Sequence, residues 1–300
     1  MSGRLFHGLS AFPLTPADED GRVDAGALRV LLARLVAAGV DSIGLLGSTG
    51  IYPYLTREER RRAIEAAVDE AGGKVPVMAG VGALRTDETI RLCRDAREAG
   101  AAAGLLAPVS YIPLRDDEVF AHFAEVSAAT DLPLCIYNNP DATRFAFSAE
   151  LIGRLSRLPH VAAVKEIAPA ADAVAAHLRG VQEQAAAGFS VGYCVDGHAA
   201  EALLAGGVAW YSVLGGLFPE LCLPIVRAAQ AGDAAEVRRR NAALQPVWDL
   251  FRECGGSLRV IYAAADLLGL CRAVPPRPLL PLPEAARERV GRVLREMGLL

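Results

Sequence analysis

The stretch Ser42-Ile-Gly-Leu-Leu-Gly-Ser-Thr-Gly50 opens with an apolar run, Ser42–Leu46, and ends in a loop where two glycines flank two hydroxyl residues. An amphipathic segment, Arg57–Ala71, follows it. Thr56, with Glu59 three residues later, predicts a capping box at the start of that helix. A buried strand, a polar loop and a capped helix in this order form one βα unit, so the fold class depends on how often the unit recurs.

Short apolar runs alternate with amphipathic segments from about residue 5 to residue 225. The runs with strand character are Leu9–Leu14, Ser42–Leu46, Val75–Gly80, Ala102–Ala107, Leu132–Tyr137, Val161–Lys165, Phe189–Tyr193 and Ala209–Leu214. The helical segments are Ala25–Ala38, Arg57–Ala71, Asp87–Ala99, Asp116–Ala129, Ala149–Leu155, Ala170–Glu183 and His198–Ala205. Residues typical of N-caps precede three of them, namely Asp24, Thr86 and Ser148.

Eight strands joined by helices predict parallel pairing, and eight is the number that closes a (β/α)8 TIM barrel. An open doubly wound sheet with a helical tail is the alternative. No G-x-G-x-x-G turn follows the first run, however, and the spacing of the runs stays regular, so we favour the barrel.

The pattern becomes purely helical after about residue 225. The predicted helices are Leu223–Ala231, Ala234–Cys254, Leu258–Leu268 and Glu284–Met297, with five prolines between 275 and 283 before the last one. The sequence therefore predicts a barrel domain, residues 1–225, and a C-terminal helical extension, residues 226–300, packed on the barrel.

The composition excludes several classes of protein. The chain has 300 residues, is 52% hydrophobic and carries a formal net charge of −4, with acidic and basic residues interspersed. This distribution gives no basic surface for nucleic acid. No apolar run is long enough for a membrane span, and the N-terminus lacks the apolar core of a signal peptide. The six cysteines are scattered without metal-binding spacing, so we expect reduced thiols, no metal and a cytoplasmic location.

Lysine is rare in this chain. Of 31 basic residues only Lys74 and Lys165 are lysines. Lys165 closes the sixth apolar run, and the C-terminal strand ends of a barrel carry its catalytic groups. Apolar surroundings favour the neutral amine of a lysine, which is a nucleophile. The alternative is a structural ion pair with Glu166, although neighbouring residues of a strand point to opposite faces.

Two other strand ends carry candidate groups. In the loop Gly47–Gly50, backbone N–H groups and hydroxyls suit a carboxylate, and a plain turn is the alternative. Tyr137 ends the fifth run, where a phenol can relay protons, and an aromatic rim residue is the alternative. Tyr111 lies in the loop after the fourth run.

Together these segments resemble the dihydrodipicolinate synthase / N-acetylneuraminate lyase family over nearly the whole chain. Gly47-Ser-Thr-Gly50 matches the family's G-[ST]-T-G carboxylate loop. Tyr137-Asn-Asn-Pro140 matches its Y-N-x-P motif, and Ala163-Val-Lys-Glu166 matches its [IV]-K-[ED] strand. The three motifs in this order and spacing are highly specific.

The resemblance implies a class I aldolase or lyase that acts on pyruvate or another 2-oxo acid, with an aldehyde as the possible second substrate. Lys165 would form the imine, so no further cofactor is expected. Gly47, Ser48 and Thr49 would hold the carboxylate of the oxo acid, and Ser48 would help to pass protons.

The remaining implied roles concern two tyrosines and the assembly. Tyr137 would act as general acid and base. Tyr111 matches the tyrosine that family tetramers contribute across a subunit interface, so we expect a homotetramer.

Five positions bear on specificity. Ile51 follows the carboxylate loop where Glu is common, and Cys194 replaces a small glycine. Tyr211 stands where a small aliphatic residue usually touches pyruvate, and would bind substrate in a narrower pocket. Ala142 replaces the arginine that receives the aldehyde's carboxylate in authentic dihydrodipicolinate synthases, and Arg144 lies two residues on.

Three functions stay open at this point. The first is an active lyase or aldolase for a 2-oxo acid, with a partner outside the lysine pathway. The second is authentic 4-hydroxy-tetrahydrodipicolinate synthase, against which the loss of arginine at Ala142 argues. The third is a barrel that binds a keto or amino acid without turnover. Retention of Lys165, Tyr137 and Ser48 argues against the third, because a pure binder needs no buried nucleophile.

Overall fold

A computed structural model describes residues 5–272 and 274–300 of the chain. Eight parallel strands form a closed barrel in which each strand pairs with its neighbours in sequence and β8 pairs with β1. The strands are β1 Gly8–Ala11, β2 Ser42–Leu45, β3 Val77–Gly80, β4 Ala103–Leu106, β5 Leu134–Tyr137, β6 Val161–Ile167, β7 Ser190–Cys194 and β8 Ala209–Ser212. The predicted (β/α)8 barrel is confirmed, and the open-sheet alternative is wrong.

Helices connect the strands and continue past β8. They are α1 Ala25–Ala38, α2 Arg57–Ala71, α3 Thr86–Glu98, α4 Asp116–Ala128, α5 Pro140–Thr143, α6 Ala149–Leu155, α7 Val174–Gln184, α8 Asp196–Leu204, α9 Pro219–Gln230, α10 Ala234–Ala243, α11 Gln245–Glu253, α12 Ser257–Leu267 and α13 Glu284–Glu296. Among the described residues, no helix is long and apolar enough to cross a membrane.

Helix boundaries differ from the prediction at several places. The predicted single helix Ala234–Cys254 is two helices, α10 and α11, because Pro246 lacks the N–H that would continue α10 and instead occupies the first turn of α11. Pro219 likewise fits the first turn of a helix, and α9 begins there, four residues before the predicted start. Helix α7 begins at Val174, later than the expected Ala170.

Capping follows the prediction at Asp24 and Ser148, whose side chains accept from backbone N–H groups of α1 and α6. The predicted capping box of α2 is only half formed. The Thr56 hydroxyl accepts from the N–H of Glu59, but the Glu59 carboxylate accepts from the N–H of Val23 at 2.6 Å. Thr86 is the first residue of α3 rather than its N-cap.

Two separate apolar clusters stabilise the barrel. The larger one fills the layer between the strands and the helices, and it contains most of the buried leucines and valines. The smaller one fills the barrel interior, where the bulky rings of Phe12 and Tyr211 pack among small side chains such as Ala103, Ala163 and Ala209. The interior is therefore packed, and open space is left at the mouth, where the strands end.

The end of the barrel opposite the mouth is tied to the helical part of the chain. Asp41, just before β2, accepts from the N–H of Leu9 at 2.8 Å and pairs with both terminal nitrogens of Arg227 at 3.0 Å. Arg227 belongs to α9, which runs across residue 225. The division of the chain at that residue stays a prediction.

Candidate active site

The site begins with Lys165 on β6. Its side chain is only 2% exposed and lines a cavity at the mouth of the barrel. The amine nitrogen lies 3.9 Å from the ring centroid of Phe12 and 4.1 Å from that of Tyr137. Among the described residues, no carboxylate lies within ion-pair distance of this nitrogen. The amine is therefore buried between two aromatic faces, without a carboxylate partner.

Three polar side chains meet beside the lysine. The hydroxyl oxygens of Ser48 and Tyr137 lie 3.1 Å apart, and either can donate to the other. Asn139 donates from Nδ2 to the Tyr137 hydroxyl at 3.0 Å and to the Ser48 hydroxyl at 3.4 Å. Sequence reasoning selected Ser48 and Tyr137 but missed Asn139. Its position two residues after Tyr137, in the motif Tyr-Asn-Asn-Pro, was the available signal.

The loop that carries Ser48 turns at residues other than its glycines. Its left-handed residues are Leu46 and Ile51, at φ 57° and 53°, rather than the glycines. The glycines are needed for close approach, because a Cβ on Gly47 would lie 2.7 Å from the Phe12 ring and one on Gly50 would lie 2.9 Å from backbone. Left-handed non-glycine residues are strained and tend to occur at functional sites.

The same loop leaves donors free beside the cavity. Ser48 and Thr49 line the cavity, and their backbone N–H groups have no acceptor among the described residues. Gly47 lies behind them, against Phe12. Free N–H groups next to hydroxyls form a cradle that suits a small carboxylate.

A hydrogen-bonded pair lies on the other side of the two catalytic strand ends. Asn138 donates from Nδ2 to both carboxylate oxygens of Glu166 at 3.1 Å. His177 lies 3.5 Å from the same carboxylate and bonds the Tyr193 hydroxyl at 3.0 Å. Glu166 is thus engaged away from the cavity, and the alternative of a pair between Lys165 and Glu166 is not formed. The Asn138–Glu166 pair joins β5 and β6 one residue beyond Tyr137 and Lys165.

The cavity extends well beyond the lysine. Its volume is about 780 Å³, and its outer wall comes from the C-terminal helices. The wall residues on α11 are Gln245, Trp248, Phe251 and Arg252, and those at the start of α12 are Gly256 and Ser257. Their spacing of three and four residues places the α11 residues on one helix face. Sequence reasoning missed this wall, although an aromatic stripe on a predicted helix was visible.

Other charged or polar residues of the wall have partners of their own. Asp196 accepts from the Trp210 indole at 2.8 Å and from the Leu214 N–H at 2.7 Å, while burial raises the pKa of its carboxyl. His198 is exposed, and its Nδ1 bonds the carbonyl of Ala168 at 3.0 Å, so this nitrogen carries the proton. These contacts make Asp196 a structural residue and fix the imidazole of His198.

Two cysteines near the lysine are buried, which disfavours their thiolate form. Burial raises the pKa of Cys194 to about 11 and that of Cys135 to about 12, and the charge of Lys165 opposes part of each rise. Cys194, the last residue of β7, lines the cavity, whereas Cys135 lies in the barrel interior.

Tyr211, which was expected to bind substrate, does not reach the cavity, and neither does Arg144, whose reach the sequence leaves open. Tyr211 is fully buried in the barrel interior, with its hydroxyl 3.7 Å from the Cys135 sulfur. It cannot narrow the pocket, because Phe12 packs edge-on against it and it is Phe12 that lines the cavity. Arg144 is exposed just after α5 and does not line the cavity either, whereas Ala142 does.

Tyr111 is also remote from the site of its own chain. Its side chain is 86% exposed in the loop after β4, so within a single chain it completes no proton relay. Any catalytic role would have to act on another copy of the chain.

A buried lysine at a strand end of a closed barrel, beside a phenol, a serine and a carboxylate cradle, defines an enzyme of the imine-forming aldolase class. Comparison with known proteins agrees. The chain matches the dihydrodipicolinate synthetase family over residues 5–297. It is 35% identical to the 4-hydroxy-tetrahydrodipicolinate synthase of Alcanivorax borkumensis over 288 residues, 96% of each chain.

Solved structures show the same relationship. The dihydrodipicolinate synthase of Agrobacterium tumefaciens is 55% identical, with a TM-score of 0.95 over 97% of this chain and 98% of that one. A monomeric dihydrodipicolinate synthase variant is 27% identical, with a TM-score of 0.90 over 98% of both chains. The chain belongs to the dihydrodipicolinate synthetase family, a family of pyruvate-dependent Schiff-base aldolases and lyases. The family and enzyme class predicted from the motifs are confirmed.

Proposed function

We propose that the protein is a carbon–carbon lyase or aldolase that forms an imine between Lys165 and pyruvate or another 2-oxo acid. The observation that carries this proposal is the buried amine of Lys165, beside the linked hydroxyls of Ser48 and Tyr137. A structural lysine would need an ionic partner, and none of the described carboxylates supplies one.

The arrangement supports each chemical step in turn. The Lys165 amine attacks the carbonyl carbon of the oxo acid, while the free N–H groups of Ser48 and Thr49 hold its carboxylate. Tyr137 lies close enough to the amine to protonate the carbinolamine hydroxyl, which leaves as water and gives the imine. Asn139 and Ser48 donate hydrogen bonds to the phenolate oxygen that this step leaves on Tyr137.

The imine then acts as an electron sink. The phenolate of Tyr137 takes a proton from the carbon next to the imine, which regenerates the phenol and gives an enamine that can add to an aldehyde. In the reverse direction, a carbon–carbon bond breaks instead. No further cofactor takes part in this sequence.

Borohydride trapping tests the proposal. Pyruvate and borohydride should add the mass of one reduced pyruvate adduct to the intact protein, and peptide mapping should place it on Lys165. Lys165→Ala should abolish the adduct. Lys74→Ala is the matched control, because Lys74 is the other lysine of the chain and is exposed. Absence of an adduct with pyruvate and with larger 2-oxo acids would overturn the proposal in favour of a non-catalytic binding protein.

Authentic 4-hydroxy-tetrahydrodipicolinate synthase is the second candidate, and the names of the relatives favour it. It requires turnover of pyruvate with aspartate semialdehyde. The apolar Ala142 on the cavity wall argues against it, because no cation stands at that position to receive the aldehyde's carboxylate. A coupled assay with both substrates decides between the two candidates.

We also propose a homo-oligomer, with the tetramer of the family as the expected form, in the cytoplasm. Tyr111, Ile112 and Leu84 are 86%, 65% and 66% exposed in the loops after β3 and β4. Exposed apolar residues in neighbouring loops favour a protein interface. The six free thiols of the described residues suit a reducing compartment.

Sedimentation velocity tests the assembly. Wild type should sediment as a tetramer, and Tyr111→Ala should shift it towards smaller species with loss of activity. A fully active monomer would contradict a role for Tyr111 at an interface.

A further inference from the structure

The cavity is larger than the proposed imine chemistry needs. A water molecule occupies about 30 Å³ in the liquid, so the six non-hydrogen atoms of pyruvate fill roughly a quarter of about 780 Å³. The rest of the space lies towards α11 and α12. A substrate that uses this space must be longer than three carbons, or must be joined by a second molecule.

The outer wall contains one guanidinium among its described residues. Arg252 stands on the same face of α11 as Gln245, Trp248 and Phe251, all of which line the cavity. Among the described residues that line the cavity, Arg252 is the only arginine and Lys165 the only lysine. One cation therefore lies at each end of the cavity.

The guanidinium of Arg252 is held by an ion pair but keeps hydrogen-bond donors free. Its Nη2 pairs with Asp249 at 2.7 Å, and Asp249 also accepts from Gln245 Nε2 at 2.9 Å. The remaining guanidinium donors, on Nε and Nη1, have no partner among the described residues. Arginine presents its donors in a planar fork that fits a carboxylate.

An acidic residue also lines the cavity. Asp141, on the short helix α5, lines the cavity and is exposed. Its carboxylate repels an anionic substrate group, so such a group is favoured beside Arg252 and not beside Asp141.

We infer that Arg252 is a specificity-determining residue that receives a carboxylate at the distal end of the substrate. The substrate class is a 2-oxo acid with a second, terminal carboxylate. The C-terminal helices, and not the segment after Tyr137, then bind the distal end of the substrate. This inference rests on the proposed imine chemistry.

Trapping with matched pairs of oxo acids tests it. The concentration that gives half-maximal adduct on Lys165 is measured for 2-oxoglutarate against 2-oxopentanoate, and for 2-oxoadipate against 2-oxohexanoate. Wild type should prefer at least one dicarboxylic acid by about tenfold or more, as a charge-assisted hydrogen bond allows. Arg252→Gln should remove the preference, and Arg252→Lys should restore part of it.

Arg239→Gln is the matched control. Arg239 also pairs with a carboxylate three residues earlier at 2.7 Å and is 67% exposed, against 68% for Arg252, but it does not line the cavity. This variant should keep the wild-type preference.

The outcomes separate the two proposals. If pyruvate is trapped and wild type shows no preference for either dicarboxylic acid, the role of Arg252 is overturned and the imine stands. The role of Arg252 is overturned in the same way if the preference survives in Arg252→Gln. If no oxo acid is trapped, the imine chemistry itself is overturned.

Discussion

At the scale of single residues, the chemistry depends on what surrounds each group rather than on its identity. Lys165 and Lys74 are the same residue type, yet one is enclosed by the rings of Phe12 and Tyr137 and the other is exposed. The sequence could identify Lys165 because it ends an apolar run. It could not identify Phe12, whose ring reaches the lysine across the space that Gly44 and Gly47 leave open.

Cys194 offers a test of the environment beside the lysine. Burial raises its pKa to about 11, above the usual value for a thiol, so the reactive thiolate is disfavoured. At pH 8 roughly one thiol in a thousand is ionised. Alkylation of Cys194 by iodoacetamide should therefore be slow at pH 8 and rise about tenfold per pH unit up to pH 10. Peptide mapping over this range measures the rate, with Cys194→Ser as the control, and a plateau below pH 9 would contradict the prediction.

At the scale of elements, the strand ends were predictable and the wall opposite them was not. The C-terminal ends of parallel strands lie at the mouth of a barrel whatever the rest of the chain does. Tyr137, the last residue of β5, and Lys165, two residues before the end of β6, therefore followed from local pattern. The same reasoning placed Tyr211 at the mouth wrongly, because its position depends on how far along β8 the mouth begins. The wall residue Arg252 depends on how α11 packs across the barrel, which no local pattern encodes.

The Asn138–Glu166 pair should couple the two catalytic strands. Asn138→Ala leaves a buried carboxylate without its two donated hydrogen bonds, so the free energy of unfolding should fall by about 2 kcal/mol. Urea denaturation of Asn138→Ala, Glu166→Gln and the double variant gives the coupling energy. We expect about 1 kcal/mol or more, and strictly additive losses would show that the pair does not act as a unit.

At the scale of the whole molecule, the two ends of the barrel have different tasks. The mouth carries strained backbone, free donors and the cavity, whereas the opposite end carries a network of hydrogen bonds and ion pairs. Asp41 is the central residue of that end, because it joins β1, β2 and α9 through Leu9 and Arg227.

Asp41→Ala should destabilise the fold while sparing the chemistry. It leaves the Leu9 N–H without an acceptor and Arg227 without its partner, for a loss of about 2 to 4 kcal/mol in unfolding free energy. Pyruvate trapping on the folded protein should be unchanged. Asp131→Ala, which removes an exposed pair with Arg97, serves as the control and should unfold like wild type. Loss of trapping at full stability would contradict this division between the two ends.

The wall formed by α11 and α12 has a consequence for the newly made protein. A ribosome adds residue 245 only after all eight strands, Lys165 and Tyr137 have been made. A chain released before that point would contain the reactive amine with one side of its mouth missing. Any enamine formed there would meet bulk water and be quenched by a proton. Premature termination late in translation should therefore produce a protein that still gives the reduced pyruvate adduct with borohydride but loses its enamine to protonation by water.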